Sequence, residues 1–307
     1  SMGQPLLAIV GPTAVGKSAL ALRLALRHDG EIVSADSRQV YRLMDIGTAK
    51  PVPEELSVVP HHLLDVVDPD EPFNLAMFLG QARAAIAGIA ARSRLPILVG
   101  GTGQWVWALL EGWDVPIVAP DTELRARLEE RARQDGHQAL HVELSRADPA
   151  AAARIDPRNV RRVIRALEIA AVEGASPGRA TPHETHPPFN TMFLGLTLER
   201  TELYRRIDDR VDVMIDRGWV GEVSGLLERG YGPELSSMSG LGYGDLVRHV
   251  RGELDLHTAV ERIKFGTHRF ARGQYGWFKP GDSRIRWFDS GAGLDDAARD
   301  LAGWLSG

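Results

Sequence analysis

The sequence predicts an α/β protein, a doubly wound parallel sheet interrupted by an all-helical insertion. Three observations carry that expectation. Short apolar runs alternate with helical segments through the first third of the chain. No convincing strand pattern occurs between positions 121 and 173, and a strand-type run then resumes at 191–198.

The elements follow in order. LLAIV (6–10) reads as a short buried strand, and 17–27 as a helix of good formers such as Ala, Leu and Arg. EIVSA (31–35) is a second strand, and HLLDVVD (62–68) is expected to contain a third. Asn74 can cap a helix through LAMFLGQARAAIAGIAARSR, and LPILVGG (95–101) follows as another buried strand. Strands separated by helices imply a sheet covered on both faces, with ligands beyond the C-terminal strand ends. In the middle, DTELRARLEERARQD starts on a capping Asp121 and stops before Gly136. NVRRVIRALEIAAVEG makes a second helix there, with Val160, Val163, Ile164, Leu167 and Ala171 on one face. A loop rich in Pro, Thr and His (176–188) leads to the strand TMFLGLTL, and RIRWF (284–288) is an expected edge strand. The core is therefore placed at 4–120 and 189–307, and the helical insertion at 121–188.

Composition bounds the function. With 44% hydrophobic and 25% charged residues the 307-residue chain is an ordinary globular protein with room for a large core. The absence of cysteine excludes disulfides, thiolate metal sites and a cysteine nucleophile, and suits a cytoplasmic setting. No apolar stretch approaches a membrane span, and the N-terminus lacks a signal-peptide pattern. A net charge of -5 argues against blanket binding to nucleic acid, but the charge is uneven. Between Arg154 and Arg179 six arginines face three acids. A second run, RIKFGTHRFARGQYGWFK (262–279), mixes cations with five aromatics.

The segment GPTAVGKS has the spacing G-x-x-x-x-G-K-[ST] between a strand and a helix, the context of a P-loop NTPase-like phosphate site. Its members are Gly11, Pro12, Thr13, Ala14, Val15, Gly16, Lys17 and Ser18. The glycines let successive main-chain N–H groups turn toward anionic oxygens, Lys17 adds charge, and the Ser18 hydroxyl can bind Mg²⁺. Such loops usually hold a nucleoside triphosphate, which would make the chain a small-molecule kinase or an RNA-binding ATPase. Against this, LPILVGG ends in Gly100, Gly101 and Thr102, where a metal-binding aspartate is expected. Asp36, closing the second strand, stands beside the loop and can take a proton from an acceptor there.

GPTAVGKS, SADSRQVYRLMDIGTAKP, HHLLDVVDP, LVGGTG, RVIRALEI, GLGYGD and QYGWFK, in this order, resemble the bacterial tRNA dimethylallyltransferases (tRNA isopentenylpyrophosphate transferases) over almost the whole chain. The resemblance implies that the loop holds the diphosphate of dimethylallyl diphosphate, and that the acceptor is the exocyclic amine of the adenosine 3′ of the anticodon, at tRNA position 37. It implies Asp36 as general base, Thr102 beside the reacting centre, and Lys17, Arg210 and Mg²⁺ on the diphosphate. It also implies contacts to the tRNA anticodon stem-loop from Asp36, Ser37, Arg38 and Gln39, from Thr102 and Arg125, and from Arg161, Arg162, Val163, Ile164 and Arg165. A last group is Ser239, Gly240, Leu241, Gly242, Tyr243 and Gly244. A monomer is expected. The related adenylate isopentenyltransferases prenylate free nucleotides, but the arginine-bearing insertion favours a larger substrate. Three positions depart from the family. Gly273 replaces a second basic residue and Gly276 a larger one, so no strong electrostatic role is expected of that stretch. Trp105 stands where tyrosine is common. His61 and His62 are read as structural.

Overall fold

The computed structural model describes residues 3–115, 118, 120–173 and 188–307. The stretch at 174–187, with Arg179 and nearly all of the expected Pro/Thr/His loop, lies outside the described residues. The chain divides into two compact units, Ser1–Leu110 with Pro188–Gly307, and Glu111–Pro187.

The first unit holds six parallel strands in the order β3-β2-β4-β1-β5-β6: β1 (Gln4–Val10), β2 (Gly30–Ser34), β3 (His61–His62), β4 (Leu95–Val99), β5 (Phe189–Thr197) and β6 (Arg286–Asp289). Its helices before the second unit are α1 (Lys17–His28), α2 (Pro53–Val58), α3 (Leu75–Ala91) and α4 (Gly103–Leu110). The second unit contains α5 (Thr122–Asp135), α6 (His137–Ala147), α7 (Pro149–Arg154) and α8 (Val160–Glu173). The first unit then resumes with α9 (Arg200–Asp216), α10 (Trp219–Glu228), α11 (Tyr243–Val250), α12 (Leu256–Trp277) and α13 (Leu294–Ser306).

Strand side chains alternate between two buried faces, which is why the strands read as unbroken apolar runs. On one face Leu7, Ile9, Ile97, Met192 and Leu194 pack with Leu20 and Leu24 of α1, Ile207 of α9 and Leu301 of α13. On the other, Phe193 meets Trp107 of α4 and Phe278, and Phe78 of α3 stacks on Trp105 at 4.4 Å. Trp105 is thus a core residue, 6% exposed. The predicted caps form: Asn74 Oδ1 accepts from Met77 N and Asp121 Oδ1 from Leu124 N, at 3.0 and 2.9 Å. The RIRWF edge strand forms as β6, at the margin of the sheet.

The third strand departs from expectation. It is confined to His61–His62, because Leu63 and Asp65 adopt left-handed backbone, with φ of 67° and 53°. Only an isolated bridge from Tyr41 to Val67 continues the pairing. Both histidines have local hydrogen-bond partners. His61 Nδ1 lies 2.8 Å from Val59 O, and His62 Nε2 lies 2.8 Å from Glu31 Oε1.

Glu31 is itself buried, its side chain 3% exposed, and Arg92 grips it through Nε and NH2 at 3.1 and 2.8 Å. Burial alone would raise its carboxyl, but the hydrogen bonds and charges of Arg92 and His62 outweigh that and hold it below the usual carboxylate value. Its folded value lies below its unfolded one, so its stabilisation is present above the unfolded value and is lost as pH falls through the folded one. Glu31→Ala leaves cations around a buried gap and should cost about 3 kcal/mol. Chemical denaturation near neutral pH checks the loss, and repeating it at acid pH should show the difference shrink.

In the helical unit, Leu128, Leu140, Leu144, Val163, Ile164 and Leu167 form a separate core. The α8 stripe read from the sequence supplies Val163, Ile164 and Leu167 to it, while Ala171 at its end is exposed.

Candidate active site

The loop after β1 turns into α1 through Gly16, whose φ of 106° is a left-handed conformation natural to glycine. Gly16 caps α1 without a side-chain bond, so the first N–H groups of the helix are left to face the loop. Lys17 Nζ folds over the loop and donates to Gly11 O and Pro12 O, both at 2.9 Å. From α9, Arg206 pairs with Glu202 at 3.3 Å, whereas Arg210 has no hydrogen-bond or ion-pair partner among the described residues. Burial first, and the Arg210 charge second, pull the Lys17 ammonium down to about 7, partly offset by Asp36. Val15 N donates to Pro12 O at 3.3 Å, and two cations beside the remaining loop amides repel each other until an anion joins them.

The chain leaves β2 through Ala35, which donates to Val99 O at 2.8 Å. Asp36 Oδ1 then accepts from the N–H groups of Arg38 and Gln39 at 2.8 and 3.3 Å, a turn that fixes the carboxylate. Its second oxygen has no protein donor among the described residues. Thr102 Oγ1 accepts from Ser37 N at 3.0 Å and so tethers the residue next to Asp36. Gly100 makes this possible, because a Cβ there would stand 2.2 Å from Ala35 O. A glycine, not an aspartate, therefore ends β4: the two loops touch through their backbones.

Lys17, Ser18, Asp36, Thr102 and Arg210 line one cavity of about 910 Å³. Ser37, Arg38, Gln39, Ser239, Gly240, Leu241 and Tyr243 line it too. Gly242 and Gly244 do not; Gly242 packs under Trp219, which a Cβ would approach to 2.2 Å. Several of these lining side chains already have protein partners: Arg38 NH1 and Ser239 Oγ both donate to Ser236 O, at 2.9 and 2.6 Å, and Gln39 and Tyr243 are bound as well. The Gln39 amide donates to Thr48 O at 3.0 Å and accepts from Ser34 Oγ at 3.0 Å. The Tyr243 hydroxyl donates to Glu222 Oε1 at 2.6 Å, and burial, with the Glu222 charge, pushes it upward.

In the helical unit the arginines divide. Arg125 grips the buried Glu168 through two hydrogen bonds, at 2.7 and 3.0 Å, and Arg165 donates to the same carboxylate and to Val118 O. Val163 and Ile164 are core residues, 0% and 4% exposed. Arg161 and Arg162 stand at the surface with no side-chain partner among the described residues.

Three site-building residues carried no usable sequence signal. Glu222 accepts from the N–H groups of Asp45 and Ile46 at 3.0 and 2.8 Å, anchoring the MDIGTAKP segment. Buried Lys50 in that segment joins Asp45 and Asp65 at 2.8 and 2.5 Å. Gln274 Oε1 accepts from Thr13 N at 2.7 Å, so that amide is not free for a ligand, contrary to the reading of the whole loop as a cradle. Among the described residues no cluster of three metal-ligating side chains occurs, and no helix is long and apolar enough to cross a membrane.

Comparison with known proteins bears on this arrangement. The family described as IPP transferase matches residues 39–281, and isopentenyl transferase matches residues 4–66. The tRNA dimethylallyltransferase of Roseiflexus castenholzii is 57% identical over 90% of both chains. The chain belongs to the IPP transferase family. The tRNA dimethylallyltransferase of Thermomicrobium roseum is 52% identical over 93% of this chain and 86% of its own. Among solved structures, the Bacillus halodurans tRNA isopentenylpyrophosphate transferase superposes with a TM-score of 0.71 at 41% identity, covering 99% and 96% of the two chains. A eukaryotic dimethylallyltransferase acting on tRNA gives 0.84 at 27% identity, covering 99% of this chain and 80% of that one. These likenesses span the IPP transferase sheet, its phosphate loop and the helical unit together.

Proposed function

We propose that this IPP transferase moves the dimethylallyl group of dimethylallyl diphosphate to N6 of adenosine 37 in tRNA, releasing diphosphate. The observation that carries the reading is the shared cavity: an anion cradle with Lys17 and Arg210 opens onto an aspartate with one unengaged oxygen.

The chemistry follows from those groups. An adenine amine is a weak nucleophile, its lone pair delocalised into the ring. As N6 bonds to the allylic carbon, the carbon–oxygen bond to diphosphate breaks and its electron pair leaves with the diphosphate. Asp36 takes the N6 proton. Lys17, Arg210 and the amides of Ala14, Gly16, Lys17 and Ser18 meet the charge that grows on the leaving group. Mg²⁺ fits the site, because this ion takes one or few protein ligands beside phosphate oxygens. The exposed Ser18 hydroxyl would hold it, and it would neutralise diphosphate charge. Thr102, through Ser37, holds the turn that aims Asp36.

The target base is stacked in the anticodon loop and must be extruded to enter the cavity. Arg38, Ser239, Gly240 and Leu241 line the cavity that the base would enter, with Arg38 and Ser239 held in place through Ser236 O. Arg161 and Arg162 are surface cations available to RNA phosphates, while Arg125 and Arg165 are paired with Glu168. Arg161→Glu with Arg162→Glu should weaken tRNA binding and lower its salt dependence by about two counterions. An unaltered salt slope contradicts their assignment. The enzyme acts as a cytoplasmic monomer in this reading, one chain supplying every group named.

The test omits ATP. Isoprenoid-labelled dimethylallyl diphosphate is incubated with tRNA or with AMP. Label entering tRNA supports the proposal. Label entering AMP alone indicates a nucleotide prenyltransferase, and an absolute requirement for ATP indicates a kinase.

A further inference from the structure

The Gln274 amide is 5% exposed and sits at the meeting point of the two halves of the site. Its oxygen accepts from Thr13 N at 2.7 Å, and its nitrogen donates to Gly101 O at 3.3 Å. Thr13 belongs to the diphosphate cradle. Gly101 precedes Thr102, whose main-chain N–H donates to Ala35 O at 3.3 Å and whose hydroxyl holds Ser37 N. A continuous hydrogen-bonded path thus runs from the cradle through one side chain to the turn that carries Asp36. The fit is close: a Cβ on Gly101 would come within 2.3 Å of Gln274 Nε2 and 3.9 Å of Lys17 Nζ. The residue rides on α12, which packs against α9, the helix that carries Arg210.

We propose that Gln274 is a positioning residue that clamps the phosphate loop to the Gly101–Thr102 turn and so sets the distance between leaving group and base. The proposal rests on the prenyl-transfer reading. A primary amide is the group that suits the place, since one end must accept a hydrogen bond and the other must donate. A carboxylate can accept from Thr13 N but faces Gly101 O with no proton, and a thioether does neither well. Displacement of reacting groups by about 1 Å costs on the order of a hundredfold in rate while leaving remote binding contacts in place. The clamp therefore acts on turnover more than on affinity.

The experiment compares Gln274→Met and Gln274→Glu with the unaltered enzyme, using dimethylallyl diphosphate and tRNA at saturation. Gln274→Met keeps the volume and should lower kcat by about 10- to 100-fold. Its Kd for inorganic diphosphate should change by less than about threefold, since the free amides, Lys17 and Arg210 remain. For Gln274→Glu, the ratio of its kcat to that of the parent should rise as pH falls, because a protonated carboxyl again accepts at one oxygen and donates from the other. A merely structural glutamine would lower the thermal midpoint in both variants and leave kcat per folded molecule unchanged, which overturns the proposal. A large loss of diphosphate affinity at full kcat overturns it as well, making Gln274 a binding residue. Absence of transfer by the parent enzyme would refute the reaction and the clamp together, whereas full activity of Gln274→Met beside an active parent refutes only the clamp.

Discussion

Replacing Asp36 with alanine should lower turnover by about a hundredfold or more and leave tRNA affinity within about tenfold. The asymmetry follows from its two oxygens. Oδ1 is spent on the local turn, accepting from Arg38 N and Gln39 N, while the other oxygen of this cavity-lining residue has no protein donor among the described residues. Alanine removes both functions, so part of any loss of affinity reflects a loosened turn beneath Arg38. Asp36→Asn separates them. It keeps an acceptor for the two N–H groups but is no base near neutral pH. It should retain wild-type tRNA affinity and share the turnover defect of alanine. Single-turnover kinetics with prebound tRNA measure the chemical step. Near-normal turnover in Asp36→Asn would remove Asp36 from the role of base.

Lys17→Met should lower kcat by about 100- to 1000-fold, the usual loss when one preorganised donor to a developing oxyanion is removed. The Lys17 ammonium folds over the loop that would receive the diphosphate, and Arg210 is its cationic neighbour. A pH signature accompanies this loss. In the free protein the ammonium is pulled to about 7, by burial first and then by Arg210. A bound anion favours the charged form, so binding above that pH takes up a proton. Diphosphate affinity should therefore fall with rising pH by up to about tenfold per unit above 7 from this group, while below 7 it contributes little slope. Lys17→Arg stays charged throughout and should lose that slope, leaving the titration of diphosphate itself as the baseline. Calorimetry in buffers of different ionisation enthalpy reads the proton uptake. Equal slopes in the parent and Lys17→Arg would contradict this account of Lys17.

What could be read from the sequence divides along the distance between partners. The phosphate loop is a continuous segment whose geometry depends on its neighbours, so GPTAVGKS identified itself. The strands β1, β2 and β4 are covered on both faces and stood out as apolar runs. The third strand did not, because left-handed backbone at Leu63 and Asp65 follows its two residues and has no apolar signature. Gln274 and Thr13 are 261 positions apart, and Glu222 meets Asp45 across 177, separations for which spacing patterns give no guide. Arginine was ambiguous in a different way. The resemblance implied tRNA contacts at Arg125, Arg161, Arg162 and Arg165 alike, yet Arg165, with Arg125 from α5, encloses Glu168, a buried carboxylate 1% exposed. Only folding distinguishes an arginine that neutralises an internal acid from one left to meet RNA.

The central claim is that the loop from Gly11 to Ser18 holds the diphosphate of an isoprenoid donor whose carbon is delivered toward Asp36. A crystal structure with the unreactive thiolodiphosphate analogue of dimethylallyl diphosphate tests it most directly. The account predicts diphosphate oxygens on the amides of Ala14, Gly16, Lys17 and Ser18 and on the Lys17 ammonium, with the allylic carbon turned to Asp36. Diphosphate bound elsewhere, or bound here with the isoprenoid pointing away from Asp36, would contradict it.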